Sequence, residues 1–126
     1  MDINLRGRSI LVVEDDYFLA TATCDLLGGL GAEVLGPCSS EEEAMRVITS
    51  STPTSAVIDL NLGEGPRFEV ARLLKARGVP FVMLTGYGAE TIPSELAGVT
   101  HLVKPIDLED LFIVLRSFEC EQRPRS

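Results

Sequence analysis

Polar side chains stand at the ends of four short apolar runs in this 126-residue chain. Glu14 and Asp15 follow one run, and Asp59, Thr85 and Lys104 follow three later ones. Carboxylates bind hard cations such as Mg²⁺, whereas a hydroxyl and an ammonium bind the oxygens of an anionic group. If the runs were neighbouring parallel strands, these groups would converge on one site. Such a site would suit the transfer of a phosphoryl group to a carboxylate.

The size and composition predict one ordinary domain. The chain is 45% hydrophobic and can bury a core without metal or disulfide support. We expect a single domain over residues 1–126, with its core at about 9–118 and a polar tail over 119–126. We find no internal repeat and no low-complexity segment.

The net charge and the cysteines limit the possible partners and the compartment. A net charge of −8 argues against direct nucleic-acid binding, which requires clustered Lys and Arg. Cys24, Cys38 and Cys120 lack a zinc-like spacing, and no export signal precedes them, so we expect a reduced, cytoplasmic protein whose cysteines are small apolar side chains. No apolar run approaches the roughly 20 residues that cross a bilayer, so we expect no direct membrane contact.

Strand-like runs alternate with stretches of helical period. The predicted strands are Ser9–Val13, Glu33–Leu35, Ala56–Ile58, Pro80–Leu84 and His101–Val103. The predicted helices are Tyr17–Leu27 stopping at Gly28-Gly29, one capped by Ser39 or Ser40, one containing Val70 and ended by Gly78, and one from Asp107 to Phe118. Pro93 interrupts the remaining window, so the fourth helix is expected to be short, displaced or irregular.

Five strands alternating with helices predict an α/β protein with a doubly wound parallel sheet. The runs are apolar rather than alternating, which is typical of strands buried on both faces. For a small single domain the expected arrangement is flavodoxin-like (βα)5 with strand order 2-1-3-4-5. In that order strands 1, 3, 4 and 5 are neighbours, and their carboxyl ends carry all the polar groups described above.

Four sequence blocks carry a resemblance to a known family. They resemble the conserved blocks of the receiver domain of two-component response regulators, in order and in spacing: Leu11–Asp16, Ile58–Asn61, Leu84–Gly86 and Val103–Pro105. The resemblance covers the chain from about Ser9 to Phe118. The stretch Pro80–Gly88 also resembles the FATGUY subgroup of stand-alone receivers, although Met83-Leu84 replaces the first part of that signature.

The resemblance implies a phosphoacceptor and a metal site. Asp59 would accept a phosphoryl group from a phosphohistidine and become an acyl phosphate. Mg²⁺, or Mn²⁺ in its place, would be held by Asp15, by Asp59 and by the backbone carbonyl of Asn61, with Glu14 acting through water. Without the ion, the crowded carboxylates predict at least one raised pKa. The chain would then catalyse its own phosphorylation and dephosphorylation without being a conventional enzyme.

The same resemblance assigns roles near strands 4 and 5. Lys104 would pair with a phosphoryl oxygen and offset developing charge, and the Thr85 hydroxyl would bind another oxygen. Gly86 would leave space for the donor. A cis peptide bond before Pro105 would aim the lysine.

Three residues have competing interpretations. Asp16 is expected to cap the first helix rather than bind metal. His101 stands where many receivers carry Tyr or Phe, so it is either a smaller, pH-sensing switch or a strand residue without a role. Tyr87 is either an aromatic that reports phosphorylation or a surface aromatic. Ordering of residues Gly86 to Thr100 on phosphorylation is the hypothesis for switching.

The resemblance also implies partners. A sensor histidine kinase or a histidine phosphotransfer protein would supply the phosphoryl group, and a downstream protein of unknown identity would receive the signal. No output domain is recognised, so we expect a stand-alone receiver that is a monomer or a weak dimer. The alternatives are a pseudo-receiver that binds a partner constitutively and a small Mg²⁺-dependent phosphohydrolase. The hydrolase is disfavoured because Asn61 occupies the position of the second acid that such enzymes usually need.

Overall fold

A computed structural model describes residues 5–60, 68–86 and 92–121, with side chains described up to residue 118. The strands are β1 Ser9–Val13, β2 Glu33–Cys38, β3 Ser55–Asp59, β4 Phe81–Thr85 and β5 His101–Val103. The helices are α1 Tyr17–Gly29, α2 Glu41–Ser50, α3 Glu69–Ala76 and α4 Leu108–Glu121. The predicted alternation of strands and helices is confirmed.

The five strands form one sheet in the order β2-β1-β3-β4-β5. Every neighbouring pair is parallel. The predicted fold class and strand order are therefore correct. Because β1, β3, β4 and β5 are consecutive, the residues that follow them meet at the carboxyl edge of the sheet, where open α/β sheets bind ligands.

Each face of the sheet is covered by two helices. Residues of α2 and α3 pack with one set of strand side chains, including Ile48, Ile58 and Leu74. Residues of α1 and α4 pack with the other set, including Leu27 and Leu111. All five residues of β3 and of β4 are buried, as expected for strands that are covered on both sides.

The caps of three helices follow the sequence signals. Asp16 accepts hydrogen bonds from the backbone N–H groups of Phe18 and Leu19, which confirms it as the cap of α1. Ser40 rather than Ser39 caps α2, because its hydroxyl accepts from the Glu43 N–H. The Asp107 carboxylate accepts from the Glu109 N–H at the start of α4.

Three predicted boundaries were wrong. Helix α1 continues through Gly28 and Gly29, because the left-handed residue that ends the turn is Gly31 with φ 98°. Helix α4 continues past Phe118 to Glu121. Strand β2 does not end before Gly36 but runs on to Cys38, since a bulge admits the Gly36-Pro37 pair into this edge strand.

The core also begins earlier than expected. Leu5 is 1% exposed and packs into the cluster formed by α1 and α4, although the predicted core started at Ser9. Its N–H donates to the Leu30 carbonyl, and Gly7 adopts φ 82° in the turn that follows. A turn that only glycine adopts easily therefore returns an isolated leucine to the core.

The connection between β4 and β5 contains no α-helix within its described part, residues 92–100. It contains a 3-10 turn over Ser94–Leu96, preceded by Pro93, in agreement with the prediction of a short or irregular fourth helix. Leu96 is fully buried, and Glu95 forms an ion pair with Arg72 of α3 at 3.2 Å. Ordering of the segment Gly86 to Thr100 on phosphorylation stays a prediction.

Candidate functional site

Three carboxylates meet at the carboxyl edge of the sheet. Glu14 and Asp15 directly follow β1, and Asp59 is the last residue of β3. Glu14 is 3% exposed and Asp59 is 0% exposed, whereas Asp15 reaches solvent. One carboxylate oxygen from each of the three lies within 4.8 Å of the others. Since burying neighbouring carboxylates is costly, their charge must be compensated by a cation or by protonation.

Lys104 supplies a positive charge to the same place. Its Nζ lies 2.9 Å from Asp59 Oδ2 and 3.4 Å from Glu14 Oε2. Its backbone N–H donates to the Thr85 carbonyl at 2.7 Å, which ties the end of β5 to the end of β4. The peptide bond between Lys104 and Pro105 is cis. The structure thus brings a residue 45 positions distant in sequence into contact with Asp59.

The electrostatics of the acids are those of a crowded pocket. Burial, reinforced by hydrogen bonding to Asp59, raises the pKa of Glu14 from 4.5 to about 7. Burial acts to lower the pKa of Lys104, but its hydrogen bond to Asp59 and the charges of both acids outweigh burial and raise that pKa. A raised pKa of one acid agrees with the prediction made from the crowding of the carboxylates.

The donor set fits a hard divalent cation. All three clustered groups are carboxylates, and Mg²⁺ prefers oxygen ligands and retains several waters. Glu14 Oε2 accepts from the Asp16 N–H at 3.0 Å, whereas its buried Oε1 has no hydrogen-bond partner among the described residues. An orphaned buried oxygen is one that a metal-bound water could satisfy.

The remaining predicted site residues are placed as follows. Thr85 ends β4, is 3% exposed and lies level with Val103 of β5. Gly86 follows it and is exposed. His101 begins β5 opposite Met83 and is partly buried. Asn61 and Tyr87 lie outside the described residues, so their predicted roles stay predictions.

The thiols of Cys24 and Cys38 are not part of this site. Cys24 and Cys38 are free thiols, and Cys38 is 2% exposed. Burial, with a smaller effect of the Glu43 charge, raises the pKa of Cys38 to about 11. Both cysteines therefore behave as small apolar side chains, as expected. The side chain of Cys120 lies outside the described part.

Sequence reasoning missed one buried acid near the same edge. Glu41, the first residue of α2, is 4% exposed, and its Oε2 accepts from the Val70 N–H at 3.0 Å. This carboxylate therefore caps α3 from a different helix. No local signal distinguishes Glu41, because it begins a run of three glutamates that all suit a helix start.

Known proteins resemble this chain in sequence and in structure. No family model matches it. It is 30% identical over 123 residues to the acid tolerance regulatory protein ActR of Sinorhizobium medicae, with 90% of this chain and 62% of that protein covered. The non-phosphorylated HemR receiver domain of Leptospira biflexa superposes with a TM-score of 0.79 at 26% identity, over 95% of this chain and all of that one. The chain is a response regulator receiver domain.

A second solved structure agrees with this assignment. A receiver domain protein (CheY-like) from Methanospirillum hungatei superposes on this receiver with a TM-score of 0.75 at 25% identity, covering 91% of this chain and 95% of that one. The receiver spans 46% to 62% of the length of three regulatory proteins that it matches in sequence. Across the described residues, every helix is too short or too polar to span a bilayer.

Proposed function

We propose that this receiver accepts a phosphoryl group on Asp59 from a phosphohistidine of a partner protein, in a Mg²⁺-dependent reaction. The observation that carries the proposal is the environment of Asp59. Its carboxylate is fully buried, lies 2.9 Å from the Lys104 ammonium and belongs to the cluster with Glu14 and Asp15. A carboxylate that lies next to both a cation and other acids suits reaction with an anionic phosphoryl donor better than it suits helix capping.

The proposed step is a displacement at phosphorus. A carboxylate oxygen of Asp59 attacks the phosphorus in line with the phosphorus–nitrogen bond, so a phosphorus–oxygen bond forms as that bond breaks. The electron pair of the broken bond returns to the imidazole nitrogen of the donor. A proton taken up by the imidazole lets it leave as a neutral group. Asp59 becomes an acyl phosphate, and no oxidation or reduction takes place.

Residues of β4 and β5 would bind the transferred group. The Lys104 ammonium, which contacts Asp59 before transfer, would pair with a phosphoryl oxygen and offset charge in the transition state. The Thr85 hydroxyl would donate a hydrogen bond to another phosphoryl oxygen after transfer. Gly86 is exposed and carries no side chain, which supports its proposed role of leaving room for the donor.

Four residues would hold the metal ion. Asp15 and Asp59 would bind it directly with the backbone carbonyl of Asn61, and Glu14 would bind through water. Bound Mg²⁺ would neutralise the acids and attract the phosphoryl oxygens of the donor. The exposure of Asp15 supports a direct role, because the ion and its waters must enter from solvent.

The partners follow from this chemistry. We propose a sensor histidine kinase or a histidine phosphotransfer protein as donor, and signalling by protein contact or by onward phosphoryl transfer in the cytoplasm. Action as a monomer or weak dimer belongs to the same proposal, as does the likeness of Pro80–Gly88 to the FATGUY subgroup. His101 and Tyr87 remain the candidate switch residues.

Incubation with acetyl phosphate and Mg²⁺, followed by intact-mass measurement, tests the proposal. We expect wild type to gain one phosphoryl group and Asp59→Asn to gain none. Asp25→Asn, an exposed acid of α1, is the matched control and should react like wild type. An unmodified wild type would overturn the proposal in favour of a pseudo-receiver. Continuous release of phosphate from phosphomonoesters without a stable adduct would favour the hydrolase.

A further inference from the structure

The edge strand β2 bonds directly to the acidic site. The carbonyl of Cys38, the last residue of β2, accepts a hydrogen bond of 2.8 Å from the backbone N–H of Glu14. Glu14 is the first residue beyond β1, and its buried carboxylate belongs to the acidic cluster. The backbone that carries Glu14 and then Asp15 is therefore attached to the sheet edge at the point where it leaves β1.

A bulge makes this bond possible. Leu11 pairs with Leu35, and two residues later Val13 pairs with Cys38, so β2 contributes one residue more than β1 over this interval. In a regular ladder Val13 would lie level with Pro37, which has no N–H to donate. The extra residue instead brings Cys38 level with Val13. Bulges of this kind occur at sheet edges and beside active sites, where they redirect a side chain.

The bulge depends on Gly36. This residue adopts φ 120°, a conformation that side chains strongly disfavour. A Cβ atom at this position would lie 2.7 Å from the Val12 carbonyl oxygen and 2.8 Å from the Cys38 backbone nitrogen. Both atoms belong to the backbone, so neither can move aside without a shift of β1 or of Cys38. Any residue other than glycine would therefore displace the strand end that holds Glu14.

The end of β1 is held from both sides. Val13 is level with Cys38 on one side and with Ile58 on the other, and Asp59 follows Ile58. The separation between the β1 acids and Asp59 therefore depends on two strand pairings, one of which is the bulged one. A displacement of Cys38 would move Glu14 and Asp15 relative to Asp59.

We propose that Gly36, through the β2 bulge that it permits, is a positioning residue for the acids that would bind Mg²⁺. The anchoring of Glu14 by the edge strand does not depend on the proposed function, whereas the expected effect on Mg²⁺ affinity rests on it. Carboxylate ligands must be held closely, because Mg²⁺ demands near-ideal octahedral geometry. Groups that orient metal ligands from outside the ligand set typically contribute about 10- to 100-fold to metal affinity.

Gly78 provides a matched control for backbone strain. It adopts φ 71° after α3, far from the carboxyl edge, and a Cβ at this position meets nothing within 4 Å. Gly36→Ala and Gly78→Ala both force alanine into a positive-φ position, but only the first reaches the acids.

The experiment is a Mg²⁺ titration of ¹⁵N-labelled protein monitored by NMR, with urea unfolding of each variant. We expect Gly36→Ala to weaken Mg²⁺ binding by about tenfold or more, since it disturbs residues that orient the ligands. Gly78→Ala should retain the wild-type affinity to within about twofold, because distant sites act independently. In the metal-free protein, the Glu14 amide should exchange faster in Gly36→Ala than in Gly78→Ala of equal stability.

The outcomes separate this inference from the proposed function. Equal Mg²⁺ affinities of Gly36→Ala and Gly78→Ala would overturn the inference while leaving the proposed function intact. If wild type binds no Mg²⁺, the proposed metal site is wrong. A Glu14 amide that exchanges at the same rate in Gly36→Ala and Gly78→Ala would also overturn the anchoring of Glu14 to β2. If Gly36→Ala fails to fold, the wild-type titration decides. In that case the amide NMR signals of Cys38 and Glu14 in wild type should shift together during the Mg²⁺ titration and give the same Kd. A Cys38 amide signal that does not shift would overturn the inference.

Discussion

The two ends of the sheet differ in what they bury. The carboxyl end buries Glu14, Asp59 and Thr85 and places an ammonium among them. The amino end is closed by apolar side chains, namely Leu5, Val79, Phe81 and Phe118. Buried carboxylates cost free energy, and apolar packing offsets that cost elsewhere. Substitutions at the carboxyl end should therefore change chemistry, and substitutions at the amino end should change stability.

The largest expected effect is that of Lys104→Met at the carboxyl end. Removal of the ammonium 2.9 Å from Asp59 should slow phosphorylation by acetyl phosphate by about 10²- to 10³-fold, the usual effect of losing one electrostatic stabiliser. Time courses of intact mass measure this rate. The control is Lys75→Met, an exposed lysine near the end of α3 whose Nζ donates to the Glu95 carbonyl, and it should react like wild type. A Lys104→Met protein that keeps the wild-type rate would contradict the division between the two ends.

Leu5→Ala tests the amino end. Loss of a side chain that is 1% exposed should lower the free energy of unfolding by about 2–5 kcal/mol. Urea denaturation measures this change. The Mg²⁺ affinity of the folded variant should match that of wild type, because Leu5 lies at the opposite end of the strands. A reduced affinity would mean that the two ends are coupled.

The pH dependence of stability tests the burial of Glu14. Its pKa of about 7 in the folded protein exceeds the ordinary value of 4.5, so protonation favours the folded state. The stabilisation is complete below pH 4.5 and is lost as the pH rises to 7 and beyond, by up to about 3 kcal/mol. Unfolding in EDTA-treated samples between pH 4.5 and 8 measures this loss. Glu14→Gln should flatten the profile, and an unchanged slope would show that Glu14 is not the group responsible.

The smallest expected effect separates capping from metal binding at Asp16. Asp16→Ala should lower the free energy of unfolding by about 1 kcal/mol, the usual value for a lost helix cap. Its Mg²⁺ affinity should stay near that of wild type, as measured by titration. Asp16→Ser, which can still cap the helix, should recover most of the stability. A large loss of Mg²⁺ affinity in both variants would identify Asp16 as a ligand.

Much of the site could be predicted because its members follow strands that the sequence marks clearly. Asp59 follows a buried apolar run, and Lys104 follows the next short run after Pro93. Parallel strands place their carboxyl ends at one edge, so strand identity and order were sufficient to bring Asp59 and Lys104 together. The cap at Asp16 was equally local, since an N-cap depends only on the next three residues.

The features that escaped prediction depend on distant contacts. Leu5 is a single leucine outside any periodic pattern, and only the turn at Gly7 returns it to the core. Glu41 caps a helix 29 residues further along the chain. In the sequence, Gly36 and Pro37 predict the end of a strand. The bulge that keeps them within β2 is a property of the pairing between β1 and β2, so it could not be predicted from these two residues.

The strand order was expected because it is the common one for a small single domain of this class. The amino-acid sequence by itself determined the alternation of elements and the set of polar groups that follow the strands. These depend on periodicity, turn residues and handedness, which act over short stretches of chain. Only the tertiary structure decided how deeply Glu14 is buried, which atoms Lys104 contacts and how the edge strand holds the acids. Burial and strand register are sums over many residues that are remote in sequence, so no local pattern encodes them.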